Sequence, residues 1–282
     1  MLYLVLSYFV MLIKEGILMK NRFYGKYYKF ISDNNYVLAF ITSHTNEGDM
    51  IQIINGSGSY FINDMNAIKI DNNIITFNVN SDNITISGKL ELSNLSSLKS
   101  KVMGPFHYLP LECKHQIYSM KHNINGILLI NNKEYKYTNS LGYIEGDSGI
   151  SFPKKYIWYN SINNTTTVTM AIASVVVMGF IKFKGLLCFI KDNNKEYKLC
   201  TYNFGKVIKI ENNTIIIKRG KYKFILEYDD IKGHNLKAPV NGNMDRFIKE
   251  AITIKTRYKL LYKNNIILDN IDNISSLEYM WD

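Results

Sequence analysis

Ile215-Ile-Ile-Lys-Arg-Gly-Lys-Tyr-Lys-Phe-Ile-Leu226 decides the fold class. Ile215 to Ile217 is β-branched, Arg219-Gly220 is a turn, and Tyr222, Phe224 and Leu226 then alternate with Lys221 and Lys223. Period-two alternation on a turn is the pattern of a hairpin with one face in a core. The same pattern recurs elsewhere. Tyr36-Val-Leu-Ala-Phe-Ile41, Met50-Ile-Gln-Ile-Ile54 and Ile74-Ile-Thr-Phe-Asn-Val79 are rich in β-branched and aromatic residues. Asn-Asn pairs punctuate the chain at 34–35, 72–73, 131–132, 193–194, 212–213 and 264–265. Asn tolerates the left-handed backbone of tight hairpins, so each pair predicts a turn. Short strands with regular turns predict an all-β sandwich or barrel.

Two stretches read less simply. Asp245-Arg-Phe-Ile-Lys-Glu-Ala251 fits a short helix or a strand. Val168 to Ile181 is apolar but too short for a bilayer span of about 20 residues. Gly179 and the following Lys182-Phe-Lys-Gly185 predict two buried strands around a turn there. Asn131-Asn-Lys-Glu-Tyr-Lys136 recurs letter for letter at Asn193 to Lys198, through duplication or through convergent hairpin chemistry.

The bulk numbers bound the function classes. A chain of 282 residues with 46% hydrophobic residues can bury a sizeable core, in one large or two ordinary domains. The net charge is +10, but the lysines are scattered through the strands and no basic stripe or base-stacking module is legible, which argues against nucleic acid. An anionic membrane surface stays open as a peripheral partner. Three widely spaced cysteines, Cys113, Cys188 and Cys200, fit a reducing, cytoplasmic compartment rather than a disulfide framework. Residues 1–18 stand apart. Met1 to Ile13 is apolar, lacks a basic start and a small-residue cleavage site, and is a poor signal peptide. Lys14-Glu15-Gly16 can encode a ribosome-binding sequence just ahead of Met19, so translation is expected to start at Met19; a short membrane-dipping segment is the alternative.

Candidate chemistry concentrates in Gly142-Tyr-Ile-Glu-Gly-Asp-Ser-Gly-Ile-Ser-Phe-Pro-Lys-Lys-Tyr-Ile-Trp-Tyr-Asn160. On a strand, Tyr143, Glu145 and Asp147 share one face. Phe152, Tyr156, Trp158 and Tyr159 follow within a dozen residues. Acids among aromatics fit either a protonating site in an apolar cavity or a plain turn between strands. Gly146-Asp-Ser-Gly149 imitates a serine-protease motif without the partners a triad needs. None of the five histidines falls in a zinc-type spacing, and no glycine-rich phosphate loop occurs, so no metal and no nucleotide cofactor is expected. Glu112-Cys113-Lys114-His115 is the densest polar cluster; Cys113 and His115 would share a strand face, without a legible third member for a nucleophile.

Taken in order, several pieces resemble the tocopherol cyclase-like family, especially its small bacterial members. They are Arg22-Phe-Tyr-Gly-Lys-Tyr-Tyr-Lys29, Met103-Gly-Pro-Phe106, Pro110-Leu-Glu-Cys-Lys-His115, Ser119-Met120 with Gly126, Gly142 to Trp158, Ala238-Pro239 after Leu236, and Met244 through Arg246 to Glu250. The resemblance spans most of residues 19–282. It implies two lipocalin-like antiparallel β-barrels in tandem, as in carotenoid 1,2-hydratase-like proteins, with Gly142 to Gly149 closing the first. The expected domains are 19–153 and 154–282, joined near Pro153. Two departures stand out: Ser148 where the plant cyclases carry Trp, and Tyr159-Asn160 near a Gln. The plant pattern also has an amide at Asp147 and an acid at Glu145.

The implied activity is cofactor-free, acid-catalysed cyclisation of an apolar prenylated quinol or related polyene. Glu145 would protonate an alkene, with its pKa raised by burial and by Asp147. Tyr143, Phe152, Tyr156 and Trp158 would face the cation, at roughly 0.5–2 kcal/mol each. His115 would accept a phenolic proton, and Glu112 would contact substrate. A barrel that only binds an apolar ligand is the alternative.

Overall fold

The structure is a computed structural model that describes residues 22–177 and 181–281. The expected late start at Met19 falls outside the described residues, as does the turn at Gly179. The described chain is all-β, without an α-helix, and forms two lipocalin-like antiparallel sheets in tandem. No helix among the described residues is long and apolar enough to cross a membrane.

The first sheet contains β1 (Phe23–Ile31), β2 (Val37–Thr45), β3 (Gly48–Asn55), β4 (Gly58–Ile62), β5 (Ile68–Asp71), β6 (Ile74–Asn80), β7 (Thr85–Ser96), β8 (Cys113–Ile130) and β9 (Lys133–Gly149). The second contains β10 (Tyr156–Ile162), β11 (Thr166–Val177), β12 (Ile181–Asp192), β13 (Lys195–Lys198), β14 (Lys206–Glu211), β15 (Thr214–Arg219), β16 (Tyr222–Tyr228), β17 (His234–Val240), β18 (Asn243–Tyr262) and β19 (Asn265–Met280). The first runs β4-β3-β2-β1-β9-β8-β7-β6-β5 and the second β13-β12-β11-β10-β19-β18-β16-β15-β14, with β17 on β18. Set β17 aside and the two orders correspond strand for strand. In both, the first and last long strands lie side by side.

Neither ladder closes. Strands β4 and β5 end the first sheet and β13 and β14 the second, so these are curled sheets rather than sealed barrels. The end strands β4, β5 and β13 are only four or five residues long, which leaves little backbone to pair. The repeated Asn-Asn-Lys-Glu-Tyr-Lys joins β8 to β9 at one site and β12 to β13 at the other. These are not corresponding positions in the two sheets, so hairpin chemistry accounts for the echo. Asn35, Asn72, Asn131, Asn193, Asn212 and Asn264 all have positive φ, as hairpin turns require. The ambiguous Asp245–Ala251 segment is part of strand β18.

Three apolar clusters form the core. One fills the interior of the first sheet, around Phe30, Phe40 and Phe77. Another fills the second, around Tyr159, Phe224 and Tyr258. The third lies in the seam between the sheets and draws on both. The central strands therefore bury both faces. In β1, Tyr28 and Phe30 point into the interior, while Tyr27 and Ile31 point into the seam. All seven residues of β10 are buried for the same reason. Two glycines allow the close packing of β9 on its neighbours. A side chain at Gly142 would meet His122 Nε2 at 2.3 Å. At Gly149, whose φ is 155°, it would meet the Glu112 carbonyl at 2.1 Å.

Candidate active site

The seam holds a cavity of about 170 Å³. Its wall is mostly apolar, with Ile41, Met103, Phe106 and Leu111 on one side and Ile172 and Val175 on the other. Glu145, Asp147 and His115 interrupt that wall.

Register brings these three together. On β9, alternation places Glu145 and Asp147 on the seam face. His115 on β8 lies directly opposite Asp147, and Tyr27 on β1 directly opposite Glu145. Opposed side chains in an antiparallel pair start about 5 Å apart, within hydrogen-bond reach for an imidazole and a carboxylate. His115 Nδ1 lies 3.0 Å from Asp147 Oδ1, and Nε2 lies 3.4 Å from Glu145 Oε2. The imidazole thus bridges two carboxyls. Glu145 Oε2 also accepts from Trp158 Nε1 at 3.0 Å and from the Tyr143 hydroxyl. Three donors converge on one oxygen of a side chain that is only 5% exposed.

Burial and charge set the protonation. Burial pushes the Glu145 carboxyl up to about 7; His115 pulls it down, and Asp147 pushes it further up. Burial would lower the His115 pKa, but the charges of Glu145 and Asp147 and the Asp147 hydrogen bond hold it up, at about 9. At neutral pH His115 is an imidazolium that donates from both nitrogens. Cys113 Sγ lies 3.7 Å from Asp147 Oδ1, and burial, then Asp147, raises its thiol well above the usual range. A protonated thiol beside an imidazolium occupied by two carboxyls is not a Cys–His nucleophile. Among the described residues one group of three could each offer a metal-ligand atom, within 4.8 Å of one another, and it is His115, Glu145 and Asp147.

The predicted residues divide. Trp158, Tyr156 and Phe152 line the cavity with the acids. Phe152 stacks edge-on against Phe23 and Tyr156 at centroid distances of 5.4 and 5.9 Å. Glu112 reaches the cavity from an exposed position at its edge, and its carbonyl accepts from the Ile150 amide at 2.8 Å. Tyr143 is a correction. It is fully buried behind Glu145, bonded to it and to Thr169 Oγ1 at 3.0 Å, and is not part of the cavity wall. The two-residue repeat puts it on Glu145's face but one step deeper into the seam core. Tyr159 faces the second sheet's interior, where its hydroxyl meets Thr256 Oγ1 at 2.9 Å.

The sequence reading missed two further acids on the second sheet, Glu278 in the cavity wall and Glu250 beside it. Glu250 on β18 and Glu278 on β19 are direct cross-strand partners, and Glu278 is also the partner of Trp158 on β10. Glu250 accepts from the Tyr27 hydroxyl at 2.7 Å, and Glu278 from the Tyr156 hydroxyl at 2.5 Å. Glu278 lines the cavity. Burial raises the Glu250 carboxyl to about 7 and holds Glu278 well above its usual range, with Glu250 pushing Glu278 higher. Lys29 is fully buried and donates to the Ile274 carbonyl at 3.0 Å; burial lowers its ammonium to about 8, opposed by Asp272 and Glu250. One signal was available: Met244, Ile248 and Ile252 share a strand face with Glu250, an acid on an apolar stripe. Glu278, beside paired serines near the chain end, offered none.

Neither a protein-family profile nor a curated protein sequence matches the chain. Its fold does match solved structures. Kievitone hydratase from Nectria haematococca superposes with a TM-score of 0.56 at 11% identity, over 94% of this chain and 90% of that one. CghA in complex with Sch210972 gives 0.59 at 6% identity, over 92% and 88%. An AttH-type protein from Nitrosomonas europaea gives 0.51 at 6% identity, over 94% of both. At these identities the likeness is one of fold: the chain shares the tandem lipocalin-like architecture of these proteins over nearly its whole length.

Proposed function

We propose that the seam cavity carries out acid-catalysed addition to an alkene in an apolar small molecule, by cyclisation or hydration, with Glu145 as the acid. A prenylated quinol or a related polyene, as for a tocopherol cyclase-like enzyme, is the substrate class that fits best. The observation that carries this reading is the convergence of Tyr143, Trp158 and His115 on Oε2 of Glu145. Among the described residues Glu145 Oε1 has no such donor, so it is the oxygen available to carry a proton into the cavity. Once that proton leaves, three preorganised donors hold the new carboxylate. A pKa near 7 keeps a useful fraction of the acid protonated at neutral pH.

The rest of the wall suits a carbocation. Trp158, Tyr156 and Tyr27 present ring faces or edges, with Tyr27 and Trp158 at 5.3 Å. His115 changes role relative to the sequence reading. As an imidazolium it does not accept a phenolic proton directly; it can pass its own proton to the Glu145 carboxylate and then, as a neutral imidazole, take up the proton released by the oxygen that captures the cation, with Asp147 holding its orientation. A cavity of about 170 Å³ is below the usual 300–1,000 Å³ of drug-sized ligand sites. It accommodates the reacting end of a substrate and leaves a long tail to run out through the opening. The fold shared with a named hydratase supports addition chemistry of this kind. The free thiols of Cys113, Cys188 and Cys200 fit work in the cytoplasm.

The test is turnover of prenylated quinols and isoprenoid polyenes by wild type and Glu145→Gln, with binding measured alongside. Loss of turnover by about 10²–10⁴ with binding retained is the expected result. Turnover that survives the substitution refutes the acid assignment. Tight binding without turnover by wild type identifies a carrier.

A further inference from the structure

The cavity opens beside two short turns. The 3-10 turn Gly104–Tyr108 brings Phe106 to the cavity wall. The 3-10 turn Thr201–Asn203 packs on it, with the Tyr202 ring 6.0 Å from that of Phe106 and against Gly104. Exposed cavity residues Glu112 and Ser174 mark the opening. Two positions beyond each inward ring, the chain carries an outward one. Tyr108 is 78% exposed and Phe204 85%, the two most exposed large apolar side chains among the described residues. Phe204 also holds φ at 68°, a costly conformation for a bulky side chain. Ile208, at the register shift between Val207 and Lys209, adds a third exposed apolar group.

The surroundings are basic. Lys206 and Lys218 lie directly opposite each other on β14 and β15, beside Phe204 and Ile208 in one shallow depression. Like charges in that position repel, and neither lysine has an ion-pair partner among the described residues. An anionic surface would relieve that repulsion. At the other turn, Lys101 lies 6.0 Å from the Tyr108 ring, and Lys114 donates to the His107 carbonyl at 2.9 Å. Their positive field is felt locally: Lys101, then burial, then Lys114, holds the His107 imidazole below its usual range.

We infer that these two turns form a docking surface for an anionic lipid bilayer, with Tyr108 and Phe204 entering the interface and Lys101, Lys206 and Lys218 against the head groups. Exposed aromatics ringed by lysines are the combination that binds such interfaces, and the net charge of +10 favours approach. The placement would let an apolar molecule pass between the bilayer and the cavity without crossing water. The docking itself does not depend on the acid chemistry, because it is measured without turnover.

The experiment is co-sedimentation of the full chain with vesicles of equal phosphatidylglycerol and phosphatidylcholine, and with pure phosphatidylcholine. Wild type should bind the anionic vesicles, more weakly as salt rises, and bind the neutral ones poorly. Tyr108→Ser with Phe204→Ser should weaken binding about tenfold or more. Lys206→Glu with Lys218→Glu should weaken it by at least about fivefold for each charge removed. Both pairs are surface changes, and circular dichroism and melting temperature should match wild type. Absent binding, equal binding to neutral vesicles, or unchanged binding by either pair overturns the inference. So does light scattering that shows a dimer dissociated by the aromatic substitutions, which would assign the surface to self-association.

Discussion

The interiors of the two sheets and the seam between them are built from similar strands, yet they are furnished differently. Inside the first sheet, Phe40 stacks on Tyr28 at 4.6 Å and meets Phe77 edge-on at 5.6 Å, with Phe30 alongside. That interior is packed with aromatic and β-branched side chains. The seam has an apolar cluster of its own, but Lys29, Glu145, Glu250 and Glu278 are buried in it. Burying ionisable groups is costly unless they are paired, hydrogen-bonded or neutral. Here burial raises the acids toward neutrality and lowers the lysine. The difference teaches that each sheet stabilises itself through its interior, while Glu145, Glu250 and Glu278 are gathered where the sheets meet.

The sharpest way to break this comparison is through catalysis. Phe40→Ala, which is remote from the seam acids, should leave the rate per folded molecule largely intact. Glu145→Gln should remove about 10²–10⁴ of it. Steady-state kinetics on matched folded concentrations decides; equal losses would mean the interior and seam are not functionally separate. Stability should rank the same two variants in reverse. Phe40→Ala removes a fully buried ring and should cost about 3–5 kcal/mol. Glu145→Gln keeps an acceptor for Trp158 and Tyr143 and removes a carboxylate whose burial outweighs its pairing. At pH 8 it should lie within about 1 kcal/mol of wild type or be more stable. Denaturant melts of the two variants would show it; a large loss for Glu145→Gln would make the seam acids structural.

The seam also marks where the sequence stops being informative. Hairpins are local, so Asn131-Asn132 or Arg219-Gly220 could be read as turns from a few residues. The Glu145, Asp147 and His115 group was legible because alternation on β9 is local and the family resemblance had already placed Pro110–His115 beside it in importance. Their contact required only that β8 and β9 be neighbours. Tyr143 was misplaced because alternation gives a face but not a depth. The two further acids were invisible for a different reason: Tyr27 and Glu250 are 223 positions apart, and Glu278 is 122 from Tyr156. The first pair depends on how one whole sheet docks on the other, and the second on β10 pairing with the last strand of its own sheet; no local pattern encodes either. Phe204 and Tyr108 were likewise unremarkable as letters and became informative only through their exposure.

The smallest expected effect is on the pH dependence of stability, and its sign is specific to the seam. His115 is held up from 6.5 to about 9 in the folded chain. The folded protein therefore keeps a proton that the unfolded chain loses near 6.5, so the stabilisation is complete below 6.5 and disappears as pH rises through 9. Glu145 and Glu250, raised from 4.5 to about 7, also make stability fall with pH, but mainly between those values. His122, lowered by burial to about 4, acts the other way from 4 to 6.5, and Lys29, lowered to about 8, acts the other way from 8 upward. Between pH 7 and 8 His122 is quiet and Lys29 opposes only in part, reaching half-titration near 8, while His115 acts with the raised Glu278 and with what remains of the Glu145 and Glu250 titrations. Stability should fall across that interval, by no more than about 1.4 kcal/mol per pH unit for each proton released. Chemical denaturation at pH 7.0, 7.5 and 8.0 measures the slope. His115→Gln should flatten it, while a histidine substitution away from the seam, such as His44→Gln, should not. A slope that His115→Gln leaves unchanged would show that the imidazole is not held between Glu145 and Asp147 as a cation, and the proton-returning role assigned to it would fall with that result.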